Sequence, residues 1–306
     1  MLTHLDSLKS KFYQLLWRLS CLHRHDTAAI KFLRAFVYKK LNRKKIIIHC
    51  PFTTTFFNLK YSGDLYHYID NRIYRFGAFE KHILFFIRDM LSKNPQAVFL
   101  DIGANVGQHS LFASQYAHTV HAFEPFTPLL DQFKKNRADN QIKNIHIHPV
   151  GFGSENAIKA FYKPPEKFMG CGSFLSDFIP DSNKDATMLT VVRGDEYLQQ
   201  HGISSCELMK IDVEGYEKFV LLGLQNTLKK MRPVILMEIT KRMNESFQSV
   251  QELKSLLPDD YDFYFIKRKT SSEKCGKYQL QKMDWSAIFD QADIIAYPHE
   301  KNMLCR

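Results

Sequence analysis

The sequence lacks several features that mark whole classes of protein. No apolar run in its 306 residues approaches the ~20 residues that cross a bilayer, and Asp6, Lys9 and Lys11 stand where a secretory signal needs apolar residues. Its six cysteines are scattered, with no C-x-x-C pair and no zinc-like spacing. We therefore expect a cytoplasmic protein with free thiols and no bound metal.

Two common phosphate-binding fingerprints are also missing, although a glycine-bearing turn is present. Val98 to Gly107 reads V-F-L-D-I-G-A-N-V-G, an apolar strand that leads through two glycines into a helix pattern. Such a turn brings the backbone close to a ligand at a helix start, as in nucleotide-cofactor sites. A dinucleotide site needs G-x-G-x-x-G, but Asn105 and Gln108 occupy the second and third glycine positions, and no G-x-x-x-x-G-K-[ST] occurs.

What remains is D-x-G-x-N-x-G followed by an acid that ends the next strand, which is the pattern of an S-adenosylmethionine site. Glu124, at the end of the segment T-V-H-A-F-E, is expected to accept from the ribose hydroxyls. Asp101 is expected to orient the turn or reach the methionine ammonium group, and Asn105 to lie near the methionine portion. The predicted cofactor-binding residues are Asp101, Gly103, Asn105, Gly107 and Glu124. The alternative is that the two glycines only form a tight turn.

Two further apolar strands also end in charged residues. Cys206 to Gly215 reads C-E-L-M-K-I-D-V-E-G, and Pro233 to Glu238 reads P-V-I-L-M-E. The carboxyl ends of parallel strands form the ligand-binding edge of an open α/β sheet. We predict a catalytic group of Asp212, Glu214 and Lys210, with Asp212 as the proton acceptor. The alternative for Glu214 is that it favours the start of the next helix through the helix dipole, and the alternative for Lys210 is a structural ion pair.

Together these segments resemble the FkbM family of S-adenosylmethionine-dependent methyltransferases. The resemblance covers Tyr74 to Pro298 and includes A-F-E-P, the closing I-I-A-Y-P and, as its most specific element, K-I-D-V-E-G. Tyr74, Gly77 and Glu80 match the family's lead-in loosely. The resemblance implies a doubly wound, Rossmann-like class I methyltransferase sheet and methyl transfer to hydroxyls of sugars, lipopolysaccharide or polyketides.

The α/β alternation predicts the following elements downstream. We expect helices over Lys81 to Leu91, Gln108 to Tyr116, Pro128 to Arg137 and Ser246 to Leu257, a single helix over Glu217 to Lys230, and a strand over Asn144 to Val150 with a turn at Gly151 and Gly153. Tyr261 to Lys267 and Ile294 to Tyr297 are predicted to close the sheet as an antiparallel pair. Phe161 to Phe174 breaks the alternation and is the candidate acceptor-binding lid.

Charge and pattern divide the chain into three predicted segments. Residues 1–45 form a basic amphipathic helical extension, 46–95 a β-rich and helical lead-in that covers the substrate, and 96–306 the methyltransferase domain. The first 50 residues hold eleven Lys or Arg against two Asp or Glu, and Leu5, Leu8, Phe12, Leu15, Leu19 and Leu22 form one apolar stripe. Three interpretations remain open: packing on the rest of the chain, contact with an anionic membrane or glycolipid, and, ranked last because no RNA-binding signature is present, nucleic acid.

The sequence therefore predicts an O-methyltransferase that acts on a hydroxyl of a glycan, glycolipid or secondary metabolite. The alternatives are an RNA or protein methyltransferase, although no N-P-P-Y-type motif is present, and a non-catalytic module that binds anionic surfaces. The expected location is cytoplasmic, with peripheral contact at the inner membrane face through residues 1–45. The acceptor and the oligomeric state stay open.

Overall fold

A computed structural model describes residues 11–16, 19, 28–43, 49–176, 185–240, 247, 249–270, 275–284 and 291–301. The chain forms two compact units, Met1–Phe79 and Glu80–Arg306. This boundary falls inside residues 46–95, which were predicted from the sequence to form one segment. None of the described helices is long and apolar enough to cross a membrane.

The first unit combines helices with a β-hairpin. Residues 11–16 are helical, and the further elements are α1 (Ala28–Arg43), β1 (Pro51–Phe56), β2 (Leu59–Asp64) and α2 (Tyr68–Phe76). The buried carboxylate of Asp70 accepts from the hydroxyl of Tyr61 at 2.6 Å and from the amide of Asp64 at 2.8 Å, so it ties α2 to the hairpin. The prediction of a β-rich segment followed by a helix is confirmed here.

The second unit is an α/β fold in which helices alternate with strands. Its helices are α3 (Lys81–Leu91), α4 (Gln108–Ala113), α5 (Thr127–Asp139), α6 (Gly194–Gln200), α7 (Glu217–Gly223), α8 (Gln225–Met231) and α9 (Val250–Ser255). Its strands are β3 (Val98–Ile102), β4 (Thr119–Phe123), β5 (Ile145–His148), β6 (Gly151–Gly153), β7 (Ala157–Tyr162), β8 (Ala186–Arg193), β9 (Leu208–Ile211), β10 (Val234–Thr240), β11 (Tyr261–Arg268), β12 (Tyr278–Lys282) and β13 (Gln291–Pro298).

The described strands of this unit form an eight-stranded sheet and a three-stranded sheet. The large sheet has the order β12-β11-β13-β10-β9-β3-β4-β5, in which β5, β4, β3, β9 and β10 are parallel and β13 is antiparallel to both its neighbours. The expected antiparallel pair of β11 and β13 is thus confirmed. The chain leaves β3 for β4 on one side and later returns to β9 on the other, so the strand order reverses between β3 and β9. In doubly wound sheets such a reversal opens a crevice at the carboxyl ends of the strands.

The predicted turn at Gly151 and Gly153 is wrong, because these residues form strand β6. β6 pairs in parallel with β8, which also pairs with β7. Neither glycine has a positive φ. They are needed for close packing: a Cβ at Gly153 would lie 2.6 Å from a Val191 methyl, and one at Gly151 would lie 3.2 Å from the Phe174 ring.

One other prediction also needs correction, and one strand was not predicted. The single helix over Glu217 to Lys230 is divided into α7 and α8, because Leu224 has the non-helical angles φ −114 and ψ 14. Strand β12 at the sheet edge was not predicted from the sequence. For the predicted helix over Ser246 to Leu257, the described part is α9, and residues 241–246 and 248 lie outside the described residues.

The expectation of free thiols was wrong for Cys50. This fully buried residue is disulfide-bonded, and its partner lies outside the described residues. Cys171, Cys206 and Cys275 are free.

Gly223 provides a test of how β6 is held against α7. A Cβ at Gly223 would run into the backbone carbonyl of Gly153, which cannot move without displacing the strand. We expect Gly223→Ala to lower the free energy of unfolding by about 1–3 kcal/mol in urea denaturation followed by circular dichroism. Lys229→Ala, on an exposed position of α8, is the control and is expected to stay within about 0.5 kcal/mol of wild type. Equal stability of the two variants would contradict this packing.

Candidate functional site

A cavity of about 610 Å³, a volume that includes its open mouth, lies at the carboxyl ends of β3, β4 and β9. Each of these strands supplies a segment that follows its last residue. The cavity is lined by Ile102, Gly103, Asn105, Phe123, Glu124, Pro125, Leu129, Gly151, Phe152, Phe161, Met169, Gly170, Gly172, Phe174, Asp212, Val213, Glu214 and Tyr216. The cavity therefore occupies the crevice where the strand order reverses.

The turn after β3 forms one wall of the cavity. Gly103 has φ +82, and its amide donates to the carbonyl of Phe123 at 3.0 Å. A Cβ at Gly103 would collide with the carbonyl of Asp212, so only glycine lets the turn lie this close to the end of β9. Gly107 does not line the cavity; it has φ +77, begins α4 and packs under the ring of Phe133. The two predicted glycines thus have different roles: Gly103 borders the cavity, and Gly107 packs the helix.

Glu124 lies on the cavity wall at the end of β4. Its Oε2 accepts from the amide of Asn105 and its Oε1 from the amide of Phe126, both at 2.9 Å. Each oxygen of a carboxylate has a second acceptor site, so both can still accept from a ligand. Burial raises the pKa of Glu124 to about 7, although the two amides act in the opposite direction. The carboxylate is held in one orientation before any ligand arrives.

Asn105 joins this wall to the opposite one. It adopts φ +55, and its Oδ1 accepts from the amide of Val106 at 2.8 Å. Its Nδ2 lies 3.4 Å from the carbonyl oxygen of Gly170. The side chain that was predicted to face the methionine portion therefore borders the cavity and contacts the segment across it.

Asp101 lies beneath the turn and does not line the cavity. It is fully buried, and its Oδ2 accepts from the hydroxyl of Ser110 at 2.6 Å. Its Oδ1 is buried and has no hydrogen-bond partner among the described residues. Burial raises the pKa of Asp101, and the nearby ammonium of Lys210 lowers it in part. The hydrogen bond ties β3 to α4, and the predicted roles of Asp101, to orient the turn or to reach the methionine ammonium group, stay predictions.

Asp212 and Glu214 follow β9 and both line the cavity, whereas Lys210 lies behind them. The Nζ of Lys210 contacts Oδ2 of Asp212 at 2.8 Å, with the lysine side chain 5% and the aspartate side chain 31% exposed. Burial alone would lower the pKa of Lys210, but the carboxylates of Asp212 and Asp101 raise it above the ordinary lysine value. Lys210 is therefore a cation that orients Asp212 and does not itself reach the cavity.

Glu214 is held by its backbone on the cavity wall. It has φ +52, and its carbonyl accepts from the hydroxyl of Ser173 at 2.7 Å. Glu217, and not Glu214, satisfies the turn before α7: its buried Oε1 accepts from the amides of Val213 and Gly215, both at 3.1 Å. Burial, followed by the charge of Asp212, raises the pKa of Glu214 well above the ordinary glutamate value. The local sequence E-G-Y-E contains both acids but does not reveal which one supports the turn.

Three further carboxylates lie near Asp212, and the sequence pointed to two of them. Glu238 of β10 and Asp293 of β13 are directly paired across the strands, and Glu80 begins α3. Burial, Asp293 and Asp212 together raise the pKa of Glu80 well above its ordinary value, and burial followed by Asp212 raises the pKa of Asp293 to about 6. Glu80 was noted in the lead-in and Glu238 at a strand end. Asp293 was missed because it lies near the start of an antiparallel strand, where no strand-end rule applies.

The segment between β7 and β8 forms the wall opposite the turn. Its 3₁₀ helix, Glu166–Cys171, is followed by a bridge that pairs Tyr162 with Ser173. Met169, Gly170, Gly172 and Phe174 of this segment line the cavity. The predicted lid, Phe161 to Phe174, thus lies beside the cavity as a short hairpin-like strap, and its role in acceptor binding stays a prediction.

The chemistry of the lining residues suits a cationic nucleoside. Three carboxylates line the cavity, and no Lys or Arg is among the described lining residues. A pyrophosphate would meet these carboxylates without a compensating cation, whereas a sulfonium and an ammonium group would be attracted to them. Glu124 offers two acceptor sites to a ribose diol, as carboxylates do in dinucleotide folds. The residues that are present therefore fit S-adenosylmethionine.

Comparison with known proteins agrees with this interpretation. A family model described as the methyltransferase FkbM domain matches residues 101–268. The hexuronic acid methyltransferase AglP of Haloferax volcanii is 27% identical over 180 residues, which cover 56% of this chain and 71% of AglP. The 31-O-demethyl-FK506 methyltransferase FkbM of Streptomyces tacrolimicus is 24% identical over 46% of this chain, a match that spans 64% of that relative.

A solved structure, methyltransferase FkbM from Methylobacillus flagellatus KT, has a TM-score of 0.45 and 14% identity, covering 95% of this chain and 60% of that one. The strand order of the large sheet, rather than this likeness, identifies the Rossmann-like class I fold. The family match extends over more than half of the chain and contains the turn, the strand-ending glutamate and the K-I-D-V-E-G segment. The chain belongs to the FkbM family of S-adenosylmethionine-dependent methyltransferases.

Proposed function

We propose that this enzyme is an O-methyltransferase whose acceptor is a hydroxyl of a glycan, a glycolipid or a secondary metabolite. The observation that carries the proposal is the carboxylate of Asp212, which lines the cavity and is held by a buried lysine. A hydroxyl is a weak nucleophile that benefits from such a proton acceptor. The name of one relative, a 31-O-demethyl-FK506 methyltransferase, supports an oxygen acceptor, and the name of another, a hexuronic acid methyltransferase, supports a sugar acid as the kind of acceptor.

Glu124, Asn105 and Gly103 would hold the cofactor. Glu124 would accept from the ribose hydroxyls, and the turn at Gly103 and Asn105 would border the methionine portion. When bound, S-adenosylmethionine supplies an activated methyl group on a sulfonium. The carboxylate of Asp212 would attract this positive charge and so favour binding of the charged donor over its neutral product.

Asp212 takes the proton of the acceptor hydroxyl as the oxygen attacks. Its Oδ2 is engaged by Lys210, and its Oδ1 makes no hydrogen bond to any residue that the structure describes. Oδ1 is therefore the atom available to the acceptor. Lys210 is a positioning residue, because its contact limits the rotation of the carboxylate and leaves one oxygen turned toward the cavity. Alignment of acceptor oxygen, methyl carbon and sulfur is the other requirement for transfer.

The acceptor class is tested by labelling. The purified enzyme is incubated with methyl-labelled S-adenosylmethionine and with lysate separated into glycolipid, polysaccharide, small-molecule, RNA and protein fractions. We expect label in one of the first three fractions, in a form stable to mild base, as an ether is. Label confined to RNA or protein would contradict the proposal.

Asp212→Asn tests the proton acceptor. The substitution retains the size of the side chain but removes its basicity, so we expect kcat on the labelled fraction to fall by about 10²–10⁴-fold. The Kd of S-adenosylhomocysteine is expected to change by less than about tenfold, since the neutral thioether does not depend on the carboxylate. Asp262→Asn, whose side chain on β11 is 40% exposed, is the matched control with unchanged kcat. Retained kcat in Asp212→Asn would exclude this role.

Glu124→Ala tests the ribose contact. We expect the affinity for S-adenosylhomocysteine to fall by about 1–3 kcal/mol in calorimetry. Since the variant also frees two backbone amides, the same measurement is made with the 2′-deoxy analogue. Wild type is expected to bind the analogue more weakly than the parent ligand, and the variant to bind both alike. A variant that still discriminates between them would refute the contact. Glu155→Ala, a fully exposed site, is the control.

The raised pKa of Glu124 also implies a pH dependence. Below its pKa of about 7 the group is protonated and loses acceptor capacity, so affinity for the ribose diol falls as pH falls. We expect the Kd of S-adenosylhomocysteine to rise by up to about tenfold for each pH unit below about 7. In Glu124→Ala this component of the pH profile should disappear, and an identical profile in variant and wild type would assign the dependence elsewhere.

A further inference from the structure

The first unit exposes an unusual amount of large apolar surface. Among the described residues, ten large hydrophobic side chains are exposed, and six of them lie between residues 12 and 36. These six are Phe12, Leu15, Leu19, Phe32, Leu33 and Phe36; we refer to them as the apolar face. Exposed apolar residues that occur singly are ordinary, but a concentration of them on one segment marks a binding surface.

The two sides of α1 differ sharply in their environment. Val37 and Arg34 are buried, and the guanidinium of Arg34 donates to the hydroxyl of Tyr74 at 2.9 Å within the same unit. Phe32 and Phe36, one helical turn apart on the other side, are 76% and 45% exposed. One side of the helix thus packs within the unit, whereas the aromatic side chains on its other side are largely exposed.

The helical residues 11–16 contribute to the same surface. The ring of Tyr13 meets that of Phe36 edge-on, with centroids 6.4 Å apart, and also packs beside Phe12. Phe12 and Leu15 are each more than half exposed. Both belong to the apolar stripe for which the sequence had left open packing on the rest of the chain. The apolar face therefore extends from residues 11–19 across to α1.

Charge decides which partner suits this face. The first 50 residues hold eleven Lys or Arg and two Asp or Glu, whereas the rest of the chain is close to neutral. The Nζ of Lys40 lies 5.6 Å from the ring centre of Phe36, so positive charge borders the apolar face directly. A second copy of this chain would bring like charges together. An anionic bilayer offers both an apolar interior for the aromatic and leucine side chains and negative headgroups for the cations.

We propose that the apolar face, together with Lys40 beside it and the net positive charge of the first 50 residues, docks the protein on the surface of an anionic lipid bilayer. The helices lie in the interface and do not cross it, in keeping with the absence of a spanning helix among the described residues. Insertion of the apolar face alone, or attraction of the cations to the headgroups alone, would give only marginal binding to the bilayer. Together the two interactions give stable docking. Among the three acceptor classes, docking favours a glycolipid. This glycolipid preference rests on the proposed function, whereas the docking itself does not.

Vesicle co-sedimentation of the full-length protein tests the docking. Vesicles are made of phosphatidylcholine alone or of phosphatidylcholine with a minority of phosphatidylglycerol. We expect binding to the anionic vesicles, little binding to the neutral ones, and at least about tenfold weaker binding when salt rises from about 0.1 M to about 0.5 M. Absence of binding to anionic vesicles, or equal binding to both kinds, would overturn the proposal.

The double variant Phe32→Ser/Phe36→Ser removes apolar surface without a change in charge. We expect at least about tenfold weaker vesicle binding, with unchanged circular dichroism and unchanged affinity for S-adenosylhomocysteine. The matched control is Ile158→Ser/Met188→Ser, which alters side chains that are 70% and 61% exposed on β7 and β8. The control should bind vesicles as wild type does.

Three results would refute the proposal. They are wild-type vesicle binding by Phe32→Ser/Phe36→Ser, an equal loss in the control, and a wild-type dimer in solution that this variant converts to a monomer, since the face would then be covered by a second copy. The methylation assay reports separately on the proposed function. If Phe32→Ser/Phe36→Ser loses vesicle binding but still methylates a soluble acceptor, the docking proposal stands and only the glycolipid preference is excluded.

Discussion

The buried ammonium group of Lys210 is the interaction on which the arrangement of the strand ends depends. Lys210 lies on β9 directly beside Asp101 of β3, and its Nζ contacts Asp212 at 2.8 Å. A buried ammonium is highly unfavourable unless it is paired, and removal of a partner typically costs about 3–5 kcal/mol. The pairing therefore holds Asp212 at the cavity wall, and the buried carboxylate of Asp101 on the neighbouring strand adds to the negative charge that raises the pKa of the same lysine.

Close backbone approach determines the shape of the cavity around this pair. Gly103 lets the turn after β3 contact the carbonyl of Asp212, and Gly223 lets α7 contact the carbonyl of Gly153 beneath the cavity. A methyl group at either position would separate these segments. Because the same contacts bring Glu124 and Asp212 to one cavity, stability and ligand binding depend on the same few backbone contacts.

The excess of carboxylates accounts for the chemistry that the cavity favours. Glu80, Glu214, Asp293 and Glu124 all have raised pKa values, chiefly because they are buried. Only Glu124 and Glu214 of these four line the cavity, but all of them show that acid is in excess here: a cation can take the place of a bound proton, whereas a phosphate finds no compensating positive charge on the described lining. The lone lysine nearby is already paired, so it does not reverse this preference. The same electrostatic environment suits a donor that arrives positively charged and leaves neutral.

The sequence by itself determined the fold class and most of the cavity. Strand-ending acids at Glu124 and Asp212 were expected to meet because the carboxyl ends of parallel strands share one edge. The turn at Gly103 and Asn105, the family and the strap of residues 161–174 beside the cavity also followed from local pattern and resemblance. Tertiary structure alone placed Asp293 beside Glu238, made a strand of Gly151–Gly153, put Cys50 in a disulfide and left Phe32 exposed. Local pattern encodes periodicity and turns, whereas these four features depend on contacts between residues far apart in the chain, which no local pattern records.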